Sequence, residues 1–437
     1  MSNTPSNYVS WFRNSAPYIN ANRNKTIVLM ISGQAIADAQ ITDIIHDIAL
    51  LDSLGVRLVL VHGARPQINE KFDAQGLTSQ FHNDIRITDE AEIACVKEAV
   101  GVARSKLEAL LTMGVANSPM HGAKLSVCSG NFVIAKPVGI RDGIDFCYTG
   151  EVRRVDTGAI NSQLDNGSIV LLPPIGYSLT GEIFNLSAEE LASDVAMALK
   201  ADKLILMCSE DGAVDAQGVL IQALSTYQAE QLLVAKSQSF EVQQLLKVAS
   251  RACHAGIQRA HLVSYKQDGA LLTELYTRDG FGTMITVESC EQIRTATIAD
   301  VGGIIELISP LEEEGVLVRR SRQKLENEID WFTVIEKDGA IIGCAAFYPF
   351  FDEKIGELAG VAVHPDYRNQ ARGEQLLNSI AEQAKKANME KIAVLTTQTA
   401  HWFIERGFEQ ASIDALPAAK QQLYNWQRNS KVFIKTL

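Results

Sequence analysis

The apolar positions of this chain change period repeatedly along its first two thirds. Thr26-Ile27-Val28-Leu29-Met30-Ile31-Ser32 is an unbroken apolar run ending at Gly33, as in a strand buried on both faces. Residues 36–54 then repeat at the helical period, and Val56–Gly63 is a second buried run. Further apolar runs at Ile169–Leu172, Leu204–Cys208 and His261–Ser264 alternate with helical stretches at 89–113, 187–200 and 241–256. This alternation predicts an α/β fold, an open and mostly parallel sheet with helices on both faces, whose ligands bind at the carboxyl ends of the strands.

From residue 292 the rhythm differs. A strand leads to helices at 300–314 and 321–330, then to strands Phe332–Glu336, Ala340–Tyr348 and Gly356–Val363, a loop and helix, strand Lys391–Thr396, a helix at 400–406 and a last strand Lys431–Lys435. Lys337-Asp338-Gly339 is a hairpin signal, so this part reads as a mixed α/β sheet. The polar connection Glu288-Ser289-Cys290-Glu291-Gln292 divides the chain into a domain at 23–287 and a second at 288–437, preceded by an arm at 1–22. The arm carries Trp11, Phe12, Tyr18 and Ile19 at amphipathic spacing. It either meets a partner surface or packs on its own domain.

At 437 residues, of which 46% are hydrophobic, the chain has enough apolar material for two cores. A net charge of −12 excludes sequence-independent nucleic-acid binding, which needs a basic face. Seven scattered cysteines, without a Cys-x-x-Cys pair, read as reduced thiols of a cytoplasmic protein. No run has the length of a membrane span, and the N-terminus lacks the apolar core of a signal peptide.

Chemistry concentrates in Gly356–Leu377: a strand, a turn opened by His364-Pro365-Asp366, a loop of small and basic residues, and a helix with apolar Leu376, Leu377, Ile380, Ala381 and Ala384. The free N–H groups of such a helix start, with Arg368 and Arg372 beside them, form an anion site, and Ala371 and Gly373 let a phosphate approach the backbone. Arg368, Ala371 and Gly373 fall on the Arg/Gln-x-x-Gly-x-Gly/Ala pattern, so the segment resembles the acyl-CoA pyrophosphate loop of the GCN5-related N-acetyltransferases. Alanine at 371 replaces the usual glycine, a mild change at negative φ and a strained one at positive φ. The resemblance implies acetyl-CoA as co-substrate and no metal. The residues that would hold the co-substrate are Val361, Val363, Arg368, Ala371, Arg372, Gly373 and Glu374. Glu357, on the strand before the loop, would be the general base for an amine, with a structural carboxylate as its alternative role. Thr396 would donate to the leaving thiolate, or cap its strand. A cationic loop, Gly315–Arg322, and Arg428 before the last strand would bind an acceptor with two carboxylates. Val318, Arg319, Arg320, Gly360 and Arg428 are the acceptor-binding candidates.

Residues 20–287 resemble the amino acid kinase family, acetylglutamate kinases in particular, through Ile31-Ser32-Gly33, Val61–Gln67, Ile85-Arg86-Ile87-Thr88-Asp89 and Asn185–Glu189. The family's phosphoryl-transfer lysine falls on Met30, and its glycine-rich turn carries Ala64 and Arg65, so no kinase activity is expected. The stretch His261–Ile285 and Pro17-Tyr18-Ile19 resemble the arginine-inhibited members. That resemblance assigns Glu274 to an arginine guanidinium, with Tyr18, His261 and Gly280 completing an allosteric site. The whole chain resembles the bacterial N-acetylglutamate synthase family. This implies acetyl transfer to L-glutamate at the start of arginine biosynthesis, with feedback by L-arginine and a homo-oligomer, a hexamer. An acetyltransferase for another amino acid is the alternative.

Overall fold

The computed structural model describes residues 5–114, 120–287, 291–337, 339–368, 371–397, 399–422, 424 and 430–437. It divides into two compact units, Met1–Ser289 and Cys290–Leu437.

The first unit is built on an eight-stranded sheet in the order Ala223–Ser225, Thr283–Thr286, Arg259–Ser264, Lys203–Cys208, Thr26–Ile31, Arg57–His62, Ser168–Leu172, Ser126–Cys128. Neighbouring strands run parallel except Arg259–Ser264 against Thr283–Thr286. The central strand Thr26–Ile31 is buried throughout, which is why its sequence shows no polar alternation. Its side chains divide by parity. Val28 and Met30 pack with Leu191 and Leu245, whereas Ile27, Leu29 and Ile31 pack with Ile44, Leu107 and Leu271. Met30 is thus core, 2% exposed, where the kinase resemblance places a lysine. Asp89 and Glu92 form a reciprocal capping box that starts the helix Glu90–Leu111.

Two local features differ from the sequence expectation. The helical stretch at 36–54 is two helices, Gly33–Ala37 and Ile41–Ser53, because the Asp38 carboxylate accepts the Gln40 N–H and turns the chain between them. A second sheet of four short strands, Ile183–Asn185, Ile175–Tyr177, Val133–Pro137 and Gly150–Val155, comes from residues with no clear periodicity. The helix Pro5–Asn22 packs Tyr18 and Ile19 onto its own unit against Leu271 and Leu275, while Val9 and Phe12 remain exposed.

The second unit is a seven-stranded mixed sheet in the order Glu291–Thr295, Phe332–Lys337, Ala340–Phe350, Ile355–Val363, Lys391–Thr396, Lys431–Thr436, Glu409–Ala411. Helix Arg372–Lys386 covers one face through Leu376, Leu377 and Ile380, and helix Val301–Glu313 the other through Val301, Ile304 and Ile308. All pairings are antiparallel except Ile355–Leu358 against Lys391–Val394.

Candidate active site

That one parallel pairing stops early, and the site grows from the stop. Strand Ile355–Val363 follows Lys391–Thr396 only through Leu358, while Lys391–Thr396 stays paired to its other neighbour as far as Thr396. Beyond Leu358 the two strands carry no ladder bonds to each other, leaving backbone groups of Ala359–Val363 for another extended chain. A bulge sits at this point. Cys344 pairs with Ala362 and Ala346 with Ala359, so Gly360 and Val361 together face Ala345. Gly360 takes φ +60°, the left-handed region that favours glycine. The extra residue reverses the strand's parity. Leu358, Val361 and Val363 all pack toward helix Arg372–Lys386, and Ala362 faces the opposite core.

Glu357 precedes this break and is 6% exposed. Its carboxylate pairs with Lys420 Nζ at 2.7 Å, from the helix Ala418–Gln422. The register Tyr348↔Glu357 sets Tyr348 directly opposite on the neighbouring strand. The Tyr348 hydroxyl donates to Glu328 at 2.7 Å and also bonds Arg320; burial first, then Glu328, raise its pKa. The Arg320 backbone N–H donates to Glu312 at 3.0 Å. Its guanidinium lies against Gly360, where an added Cβ would be 3.5 Å from Nη1 and Nη2, and Arg320 Nη1 is buried without a hydrogen-bond partner. A buried guanidinium nitrogen with an unused donor is a vacant place for an oxyanion. Arg320, Tyr348, Gly360 and Glu357 therefore share one neighbourhood. Val318 and Arg319 are exposed, and Arg428 lies outside the described residues.

The loop that follows differs in part from expectation. Arg368 is exposed, its Nε donating only at 3.4 Å to the Val363 carbonyl. Arg372 is 8% exposed and bound to Glu291, through Nε at 2.9 Å and through Nη2, and to the Tyr367 carbonyl at 3.2 Å. Its charge anchors the helix start to the strand Glu291–Thr295, so only its backbone N–H faces a phosphate role; the sequence shows the cation but not its distant acidic partner. Gly373 has a second reason for lacking a side chain, because a Cβ there would approach Trp402 to 3.2 Å. Glu374 is exposed, 3.5 Å from Arg406. The Thr396 hydroxyl accepts the Thr399 N–H at 3.1 Å and shares a hydrogen with Thr399 Oγ1 at 2.9 Å, a strand-end cap that leaves its position at the mouth of the split unchanged.

Ala371 caps helix Arg372–Lys386 at φ +57°, the strained alternative. An alanine pays roughly 1 kcal/mol there, partly offset by the greater chain entropy of a glycine when unfolded. Ala371→Gly is expected to stabilise the protein by about 0.5–1 kcal/mol, read as a higher urea midpoint with an unchanged slope. A lower midpoint would contradict the assignment of strain.

In the first unit, Glu274 is 8% exposed. His261 Nδ1 lies 2.6 Å from its Oε1, and the Phe281 and Gly282 N–H groups donate to Oε2 at 2.6 and 2.8 Å. Burial lowers the His261 pKa, whereas the hydrogen bond from His261 and those backbone donors outweigh burial and hold Glu274 ionised. His261 Nδ1 faces the carboxylate, and His261 Nε2 is buried and unpartnered. Glu274 is thus engaged within its own unit, because the turn carrying Gly280 folds back onto it. Tyr18 reaches this region through the packing of Pro5–Asn22 on Ala270–Tyr276.

Lys420 and Tyr348 are the site residues that sequence reasoning missed. Tyr348 was within reach, since the turn Phe351–Lys354 fixes Phe350 opposite Ile355 and counting outward brings Tyr348 to Glu357.

A kinase-type parallel sheet and a bulged, split transferase sheet define a two-part enzyme class. Residues 25–264 match the amino acid kinase family and residues 304–408 the acetyltransferase (GNAT) family. The chain belongs to the amino-acid acetyltransferases: that of Ectopseudomonas mendocina is 54% identical over 430 residues, covering 98% of this chain and 99% of the relative. The N-acetylglutamate synthase of Neisseria gonorrhoeae, solved with coenzyme A and L-arginine, is similar at 37% identity and a TM-score of 0.87, covering 98% of this chain and 99% of that one. The same gonococcal enzyme with coenzyme A and N-acetyl-glutamate gives 38% identity and a TM-score of 0.63 over the same shares. Among the described residues no helix is long and apolar enough to cross a membrane, and no group of acidic, histidine or cysteine side chains is placed to hold a metal.

Proposed function

We propose that the chain transfers the acetyl group of acetyl-CoA to the α-amino group of L-glutamate, as the first step of arginine biosynthesis. The observation that carries the acceptor is the unpartnered, buried Arg320 Nη1 beside the Glu357 strand, a place for a carboxylate within reach of a base. Arg428 and Arg319 would complete the carboxylate contacts, and Val318 and Gly360 would border the acceptor. The pantetheine chain would lie in the split beyond Leu358 against the backbone of Val361 and Val363. Its pyrophosphate would meet the N–H groups from Ala371 to Glu374 and the Arg368 side chain. Glu357 takes a proton from the glutamate ammonium, the free amine adds to the thioester carbonyl, and collapse of the tetrahedral oxyanion breaks the C–S bond while the nitrogen's second proton passes to the departing thiolate, which leaves as the thiol of CoA. Thr396 donates to the departing thiolate. The test is product analysis after incubation with acetyl-CoA and glutamate, aspartate, glutamine or ornithine. Acetyl on the α-nitrogen of glutamate is expected in large excess, and preference for an acceptor with one carboxylate would remove the argument from Arg320.

Feedback by L-arginine would act through the first unit. Its guanidinium would share Glu274, its N–H groups would reach the unused His261 Nε2, and Tyr18 and the turn at Gly280 would close over it. The exposed face of Pro5–Asn22, with Val9 and Phe12, would join copies into a hexamer in the cytoplasm. Glu274→Gln is expected to acetylate glutamate at an undiminished rate while the arginine concentration for half inhibition rises at least about tenfold. An unchanged inhibition curve would count against the site.

A further inference from the structure

The transferase chemistry and the Glu274 site leave unexplained an acidic groove in the first unit. Helix Ile41–Ser53 turns Asp43, His46, Asp47 and Leu50 to one side, at the spacing of a single helical stripe. They line, with Ser53, Ala123, Asp268 and Leu272, a cavity of about 360 Å³. A polar nook of about 10 Å³, bordered by Ser264, Tyr265 and Gln267, shares Asp43, Asp47 and Asp268 with it.

Asp47 is the unusual member. It is 9% exposed, stands in the apolar run Ile44-Ile45-His46-Asp47-Ile48, and makes no hydrogen bond or ion pair within the described residues. Elsewhere in this unit buried carboxylates are occupied, Glu274 by three donors and Glu92 by the Asp89 N–H. An unpaired buried carboxylate is costly unless a cation or a proton compensates it. Burial first, then Asp268 and Asp43, raise its pKa to about 7. The titratable groups that line these two spaces with it are Asp43, Asp268, the imidazole of His46, which is 4.0 Å from Asp43, and the phenol of Tyr265. No group of three or more acidic, histidine or cysteine side chains among the described residues is placed to hold a metal ion. Several carboxylates along one groove suit a molecule that carries more than one positive charge, and Leu50, Leu272, Ala49 and Ala123 add an aliphatic lining.

We propose that this groove binds a small aliphatic diamine, one ammonium on Asp47 and the second between Asp43 and Asp268. The site is separate from that of the proposed arginine feedback and does not depend on it. Its ligand would bind more tightly as Asp47 loses its proton.

The test is calorimetric titration of the full-length protein with 1,5-diaminopentane, beside 1-aminopentane. Saturable binding is expected, weakening at least about tenfold in Asp47→Asn and in Asp268→Asn, persisting in Glu274→Gln, and strengthening between about pH 6 and about pH 8. Asp47→Asn breaks no described contact, so it should fold; Leu272→Trp, which fills the groove without touching charge, gives an independent loss. Absence of wild-type binding at millimolar diamine would overturn the proposal, as would equal affinity in the aspartate variants. Monoamine binding as tight as the diamine's would remove the second charge contact.

Discussion

Glu357→Gln is expected to lower kcat for glutamate acetylation by about 10²–10⁴-fold while leaving the KM for acetyl-CoA within about twofold. The change is nearly isosteric, and the amide oxygen can still accept from Lys420, which sits 2.7 Å from the carboxylate. The fold therefore loses little, and the loss isolates proton removal. A second readout separates a base from a structural carboxylate. The residual rate of the variant should climb with pH, because the fraction of glutamate carrying a free amine grows and the enzyme need no longer provide it. A fall of less than about threefold, or a residual rate flat with pH, would return Glu357 to a structural role with Lys420 as its partner.

Arg320→Met should cost about 2–5 kcal/mol in kcat/KM for glutamate, hence roughly 30- to several-thousand-fold, expressed mainly in KM. The guanidinium has no salt bridge to lose among the described residues, and its Nη1 is without a partner. The substitution keeps the aliphatic stem and removes the donors, so the fold loses the contacts to Tyr348 and Phe332, while acetyl-CoA binding should not change. Arg320→Lys should recover only part of the loss, since a point charge cannot reproduce a fork that meets both carboxylate oxygens. A glutamate KM within about twofold of the wild type would place the acceptor elsewhere.

What the sequence discloses follows from how local each signal is. The buried strands Thr26–Ile31 and Arg57–His62 are legible because burial on both faces leaves an uninterrupted apolar run. The loop before Arg372 is legible because its small residues and cations are contiguous. The bulge at Gly360 is not, since one glycine in an apolar strand has no mark that distinguishes a bulge from a close approach. Arg372 shows as a phosphate cation in the sequence, but Glu291, 81 positions away, takes it. Lys420 likewise lies beyond any local window around Glu357. Glu274 shows as a carboxylate, yet only the folded turn at Phe281 and Gly282 reveals that its oxygens are already engaged. Met30 was readable in identity, and the structure adds its place inside the sheet's core.

On the proposed function the protein would have two chemically distinct ligand places. A carboxylate would dock beside the buried Glu357 in the second unit, and a guanidinium would dock at the His261–Glu274 pair in the first. Coupling between them is reciprocal if it exists. The most direct measurement is the initial rate of CoA release from acetyl-CoA with L-glutamate, with and without L-arginine. Release that requires glutamate and falls when arginine is added is the predicted result. No glutamate-dependent release from the folded, full-length protein would contradict the account at its centre.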